Sequence, residues 1–267
     1  MRNPIKIIGG KYLLRKWIIS NFPPHDSYNT YIEGFLGGGS ILYNKLHSNQ
    51  EFAFDINENI TNFNTVLSTE PIELLNILHN IEYSEQWFEW AEDFESDKNT
   101  PVERAAKYLV RNRMSRDGNL KNYTWSDRLR RGKPEQISSW ETILSELPIL
   151  SERIKDVIFY TDDILNSIHE FENESCYGGC FLYLDPPYIP ETRTKKIYGK
   201  YEQDVQFHCD LLDRIKNAKS KILISGYDNQ LYNRVLRDWN KAIKETSVNV
   251  GNAKVKSRRI ECLWKNY

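Results

Sequence analysis

Tyr31-Ile32-Glu33-Gly34-Phe35-Leu36-Gly37-Gly38-Gly39-Ser40 is followed shortly by Phe52-Ala53-Phe54-Asp55, and these two stretches decide the fold. The first five residues read as a short buried strand, the glycines as a tight turn, and Ile41-Leu42-Tyr43 as the opening of a helix. The second stretch reads as another short strand, ending in a carboxylate. Residues 58–67 then carry apolar side chains at Ile60, Phe63, Val66 and Leu67, a helical spacing. Strand, helix, strand, helix predicts a parallel sheet.

Working outward, residues 72–78, 84–94 and 102–114 read as helices with no strand between them, so they interrupt the alternation. Strand patterning returns at Val157-Ile158-Phe159-Tyr160, Phe181-Leu182-Tyr183-Leu184 and Lys221-Ile222-Leu223-Ile224-Ser225, with helical stretches at 206–216 and 229–239. Residues 242–250 and 259–264 read as two last strands joined by a basic, turn-rich loop, a hairpin closing the sheet. The expected architecture is α/β: a doubly wound, Rossmann-like sheet spanning 1–69 and 151–267, with a C-terminal hairpin and an inserted, mainly helical lobe at 70–150. Ligands in such sheets bind at the carboxyl ends of the strands, near the point where the strand order reverses.

Composition sets the outer bounds. The chain has 267 residues, 40% apolar, 27% charged and 13% aromatic, which suits a globular enzyme and excludes a disordered chain. The residues after Met1 contain no apolar stretch long enough for a signal peptide or membrane span, so a cytoplasmic protein with no membrane partner is expected. Cys176, Cys180, Cys209 and Cys262 match neither a disulfide framework nor paired zinc ligands and read as reduced. His25, His47, His79, His169 and His208 are scattered outside any HxE or HExxH pattern, so no metal is expected. The net charge of −1 conceals one basic segment: from Arg104 to Lys133 there are ten basic and two acidic residues.

Two constellations carry chemistry. Glycines after the first strand let the backbone approach a nucleoside closely, and Asp55 at the next strand tip can accept hydrogen bonds from ribose hydroxyls. The loop lacks the GxxxxGK[ST] pattern of a phosphate loop, which excludes a P-loop nucleotide triphosphatase. The second constellation, Asp185-Pro186-Pro187-Tyr188, directly follows an apolar strand. An aromatic amino group is a poor nucleophile because its lone pair is delocalised into the ring. Accepting its two N–H groups at the Asp185 carboxylate and the Pro186 carbonyl would favour a tetrahedral nitrogen, with Tyr188 stacked on the base and the prolines supplying stiffness.

Glu33 to Ser40, Asp55, Asp185 to Tyr188 and Gly9-Gly10-Lys11-Tyr12 together resemble the motif set of the Dam-like (cofactor motif first, alpha group) DNA adenine-N6 methyltransferases. The order of cofactor motif, recognition region and DPPY is similar too, and the likeness spans nearly the whole chain. The resemblance implies S-adenosyl-L-methionine as cofactor, held by Ile7, Lys11, Phe35, Gly37, Gly39, Asp55, Asp163 and Asp185, with Asp162 the alternative to Asp163. It implies Asp185, Pro186, Pro187 and Tyr188 as the catalytic set acting on a flipped adenine. Ile7 and Gly34 depart from the pattern, which often has an aromatic residue and a proline at these positions.

The basic segment mixes arginine with aromatic side chains, a combination suited to phosphates, guanine edges and base stacks. Arg113, Arg116, Tyr123, Trp125, Arg128, Arg130, Arg131 and Lys133 are the candidate contacts to double-stranded DNA, with Arg193, Lys195, Lys196, Lys200, Lys254, Lys256, Arg258 and Arg259 extending the positive surface. A monomer is expected, with a cognate restriction endonuclease left open as a partner. The alternatives are an RNA-base or protein-glutamine methyltransferase, for which Asn often replaces the Asp of DPPY; a nicotinamide oxidoreductase, which leaves DPPY unexplained; and a non-catalytic DNA-binding relative, from which one motif should be missing.

Overall fold

The parallel pairing expected around the glycines is present, though not every helix of the expected alternation is. β1 (Thr30–Glu33) and β2 (Gln50–Phe54) pair in parallel, Thr30 opposite Gln50 and Glu33 opposite Ala53. They belong to a computed structural model that describes residues 1–130, 132–172, 179–189, 201, 203–249 and 256–267. By contacts the chain forms two compact units. One comprises Met1–Arg15, Leu36–Lys45 and Asn57–Thr161; the other comprises Lys16–Phe35, Leu46–Ile56 and Asp162–Tyr267.

The second unit holds most of the strands. Besides β1 and β2 these are β6 (Cys180–Leu184), β7 (Lys221–Tyr227), β8 (Asn240–Asn249) and β9 (Lys256–Lys265), in the spatial order β2-β1-β6-β7-β9-β8. β6 runs parallel to both β1 and β7, while β9 is antiparallel to β7 and β8, so the expected C-terminal hairpin is there. Strand order reverses between β1 and β6, which places the Glu33 and Leu184 ends beside the switch point. β6 is buried along its whole length, as a strand covered on both faces must be. Ile32, Leu182, Leu184, Ile222 and Ile224 from the sheet pack with Ile164 and Ile168 of α7 (Ile164–Glu172) and with Leu211, Leu212 and Ile215 of α8 (Val205–Ile215). Asp204 caps α8 by accepting from the Phe207 N–H. Against the expectation of four reduced cysteines, Cys180 is disulfide-bonded, while Cys209 and Cys262 are free. The spacing argument excludes frameworks of several bridges, not a single one.

The first unit is helical: α2 (Glu58–Thr69), α3 (Pro71–Leu78), α4 (Glu85–Trp90), α5 (Pro101–Met114) and α6 (Glu135–Ile154). α5 starts on a capping box between Thr100 and Glu103, with Pro101 at the first helical position, and its inward face packs on α2 and α3. α6 was not foreseen. It follows a minimal hairpin of β3 (Leu129–Arg130) and β4 (Lys133–Pro134) and buries Trp140, Ile143, Leu147, Leu150 and Ile154 along one stripe. β5 (Val157–Tyr160) follows α6 and packs against α2. The helix expected at Ile41-Leu42-Tyr43 is absent. These residues form turns, with the Tyr43 N–H donating to the Gly39 carbonyl at 3.0 Å and the Lys45 N–H to the Ile41 carbonyl at 2.9 Å. All three side chains are at most 1% exposed; the helical ladder breaks at Asn44, whose side-chain amide donates to the Ser40 carbonyl at 3.0 Å while its N–H goes to the Ile41 carbonyl.

Candidate active site

Asp185 leaves the sheet where β6 ends, because Pro186 and Pro187 carry no N–H with which to continue a central strand. The next strand reaches further. Ile224 of β7 lies opposite Leu184, so Ser225 comes alongside Asp185 and its hydroxyl donates to the carboxylate at 2.6 Å. The Tyr183 hydroxyl donates in turn toward Ser225 Oγ at 3.4 Å. Tyr183 keeps its proton, since burial first and the Asp185 charge second push its phenol well above the usual range. Tyr188 is also buried, with its ring at 4.6 Å from that of Tyr227 in an edge-on arrangement and its hydroxyl donating to Glu261 Oε2 at 2.7 Å. Burial, Asp185 and Glu261 all hold the Tyr188 phenol protonated. Ser225 and Glu261 escaped the sequence reading, although each follows directly on an apolar residue inside a strand, Ile224 and Ile260.

The same unit carries three other expected site residues. Phe35 follows the β1 end, half-exposed and edge-on to Phe207 at 6.1 Å. Asp55 stands half-buried just past the β2 tip. Asp163 accepts the Leu165 N–H at 3.0 Å, and burial raises its carboxyl above the usual range. Its neighbour Asp162 accepts from the Asp163 N–H and from Asn166 Nδ2, both at 2.8 Å, so it serves the start of α7.

Within the first unit the two loop glycines differ. A Cβ on Gly39 would fall 2.6 Å from the Tyr43 ring, and φ there is +66°, so glycine is required by the fold itself. A Cβ on Gly37, at φ +49°, would meet nothing among the described residues closer than Ile7 Cγ2 at 3.9 Å. Gly37 therefore leaves a cradle at the backbone of the first unit, while the second unit, taken by itself, carries the half-buried carboxylates Asp55 and Asp163, a residue type suited to hydroxyls of a nucleoside. Ile7 is half-buried, and Lys11 is buried with its amine donating to the Gly9 carbonyl at 3.1 Å.

The basic segment is less uniform than its charge count implies. Arg104 bonds Glu58 and Asn59, Lys107 bonds Asp93 and Asn99, and Arg111 donates to the Leu120 and Phe88 carbonyls, so these three serve the helical core. Nor does the segment lack acidic neighbours: Lys133 pairs with Glu141 at 2.8 Å, and Arg128 approaches Glu135 at 3.9 Å. Tyr123 is half-buried in a cluster with Tyr83 and Phe88, whereas Trp125 is 45% exposed and bonds Asp127. Arg113, Arg116 and Arg128 line a cavity of about 720 Å³ together with Lys6, Tyr83, Trp140 and others. Lys6 was missed by the sequence reading. Its backbone is clamped by Asn112 and its amine donates to the Arg113 carbonyl at 2.6 Å; burial and Arg113 lower its pKa to about 8. Burial likewise lowers Arg113 to about 10. Cys176, Arg131, Arg193, Lys195, Lys196, Lys200 and Lys254 lie outside the described residues, and Lys256 and Arg258 are placed only as members of β9. Among the described residues no helix is long and apolar enough to cross a membrane.

A mainly parallel sheet with an antiparallel C-terminal hairpin, a glycine loop after β1 and a DPPY tip at the switch point define a Rossmann-like methyltransferase. The chain belongs to the D12 class N6 adenine-specific DNA methyltransferase family, whose model matches residues 8–251, and S-adenosylmethionine use follows from that membership. It is 26% identical to the Type II methyltransferase M1.LlaDCHI of Lactococcus lactis subsp. cremoris, over 98% of this chain and 94% of the relative. It is 24% identical to the Type II methyltransferase M.MjaIII of Methanocaldococcus jannaschii, over 98% of each. Among solved structures it is similar to the rRNA methyltransferase aviRa from Streptomyces viridochromogenes, at 13% identity and a TM-score of 0.39 over 94% of this chain and 81% of that one, a likeness that carries no argument about activity.

Proposed function

We propose that this DNA adenine methyltransferase is a Dam-like member of its family, a monomeric cytoplasmic enzyme acting on an adenine flipped out of duplex DNA. Asp185 and the Pro186 carbonyl accept the two amino N–H groups, Pro186 and Pro187 hold that geometry, and Tyr188 provides the aromatic surface for the ring. S-adenosylmethionine, when bound, supplies an electrophilic methyl group. Ile7, Lys11, Phe35, Gly37, Asp55, Asp163 and Asp185 hold it in this reading, and Gly39 contributes through the shape of the loop. Asp185 acts as an acceptor that orients the amine rather than as a strong base, and positioning does most of the catalysis.

Residues 1–69 and 151–267 carry catalysis in this proposal and 70–150 carry target recognition, with Arg113, Arg116, Tyr123, Trp125, Arg128, Arg130, Arg131 and Lys133 as DNA contacts. The cavity bounded by Arg113, Arg116 and Arg128 supports it and adds Lys6. The names of both relatives support a cognate restriction endonuclease as partner.

The observation that carries this reading is the Asp185 carboxylate at the end of a fully buried central strand, fixed by the Ser225 hydroxyl at 2.6 Å. The test is expression in a host without adenine methylation, with single-molecule sequencing of its genome and Asp185→Ala as control. The expected result is N6-methyladenine at one short motif, absent in the variant. Methylation by Asp185→Ala at near the parental rate would overturn the mechanism.

A further inference from the structure

Tyr188 is held from two sides by one cross-strand pair. Tyr227 on β7 and Glu261 on β9 are directly opposed in the antiparallel register, so their side chains share a face of the sheet. Tyr227 packs edge-on against the Tyr188 ring, and Glu261 accepts the Tyr188 hydroxyl at 2.7 Å. Arg259, two residues before Glu261 and on the same face, donates to the Tyr227 hydroxyl at 2.7 Å and so holds the first prop. Glu261 is itself only 7% exposed and is followed by Cys262, Leu263 and Trp264, each at most 1% exposed. A buried carboxylate is costly, and an apolar side chain of similar volume would serve packing alone at least as well. A carboxylate buried at this point in the strand is explained by a task that needs an acceptor there.

We propose that Glu261 is a positioning residue for methyl transfer, accepting the Tyr188 hydroxyl and thereby fixing the ring against which the target adenine packs. This rests on the role given to Tyr188 above. Displacing a catalytic surface by a fraction of an ångström to 1 Å costs up to about 100-fold in rate. The measurement is single-turnover methylation of duplex DNA, with S-adenosylmethionine affinity by calorimetry and thermal melting alongside, for Glu261→Met, Glu261→Gln, Tyr188→Phe and Tyr188→Ala.

The expected result is a rate loss of about tenfold or more for Glu261→Met, with cofactor affinity and melting near parental values, and recovery of most of that loss in Glu261→Gln, whose side-chain carbonyl still accepts. Tyr188→Phe should resemble Glu261→Met, and the double variant should be no slower than either. A Glu261→Met enzyme at the parental rate beside an inactive Tyr188→Ala would overturn the proposal alone. So would a loss that tracks melting or cofactor affinity, or a Glu261→Gln enzyme no better than Glu261→Met. An active Tyr188→Ala would instead overturn the role of Tyr188 from which the proposal starts.

Discussion

The β6 tip and the basic segment are built by different means. At the tip, Asp185 is held by Ser225, 40 residues on, and Tyr188 by Glu261, 73 residues on. Residues 104–124 of the basic segment are also tied to distant parts of the chain, Arg104 to Glu58 and Asn112 to Lys6, but over residues 125–133 the Trp125 indole bonds Asp127 and Lys133 pairs with Glu141 only eight residues away. Long-range props from neighbouring strands hold a carboxylate and a ring, and in the proposed mechanism that restraint is what transfer to a weak nucleophile demands. If residues 125–133 meet DNA as proposed, short-range contacts would let that surface adjust to a duplex, at little cost to affinity when most of the attraction is to phosphates.

The sharpest way to break that contrast is Ser225→Ala. The lost bond ends on a charged acceptor, and such bonds are worth about 1.5–3 kcal/mol. If the bond holds Asp185 in its working orientation, the single-turnover rate should fall by roughly 10–100-fold with cofactor affinity unchanged. A parental rate in Ser225→Ala would show that β6 and its prolines orient the carboxylate without help from β7.

The Lys6 cavity offers a second comparison through pH. Burial and Arg113 lower the Lys6 amine from 10.5 to about 8, while Asp117 acts in the opposite direction. Between these values the unfolded chain binds a proton that the folded chain does not, so this group's contribution to stability improves as pH rises from 8 toward 10.5. If Lys6 meets DNA as proposed, attraction to DNA runs the other way, because the cation is present below 8 and lost above it. Duplex affinity measured by fluorescence anisotropy at fixed salt should therefore fall several-fold between pH 7 and pH 9, and Lys6→Met should start weaker and stay flat. A parental profile without that fall would remove Lys6 from the DNA contacts.

What could be read from the sequence was local chemistry. DPPY after an apolar run fixes both a strand end and a carboxylate, and the spacing from Gly39 to Asp55 marks the adjacent strand tips. What could not be read depended on packing. Ile41, Leu42 and Tyr43 look helical one after another, yet the Asn44 side chain donates to the Ser40 carbonyl and the segment stays in turns. α6 escaped because Pro148 and the neighbouring basic turn masked its apolar stripe, although Trp140, Ile143, Leu147, Leu150 and Ile154 recur at helical intervals. Arg104, Lys107 and Arg111 were counted toward a charged surface, and only the structure turns them inward onto Asn59, Asp93 and the Phe88 carbonyl. Ser225 and Glu261 had only a weak signal, a polar residue next to an isoleucine within a strand, and their partners are set by register between strands far apart in the chain.

The smallest effect expected is also the cleanest test of the exposed half of the comparison. Arg130 lies on the two-residue strand β3, exposed, and makes no ion pair among the described residues, whereas Lys133 opposite it is already paired with Glu141. If this hairpin follows the DNA backbone, Arg130→Ala should weaken binding about equally for all duplex sequences and reduce the slope of log affinity against log salt by about 1. Lys133→Ala should change the slope less, because Glu141 neutralises much of that charge before DNA arrives. Equal slopes for the parental enzyme and both variants would move the phosphate contacts off the hairpin and onto the cavity of Lys6 and Arg113, leaving the hairpin a structural link between α5 and α6.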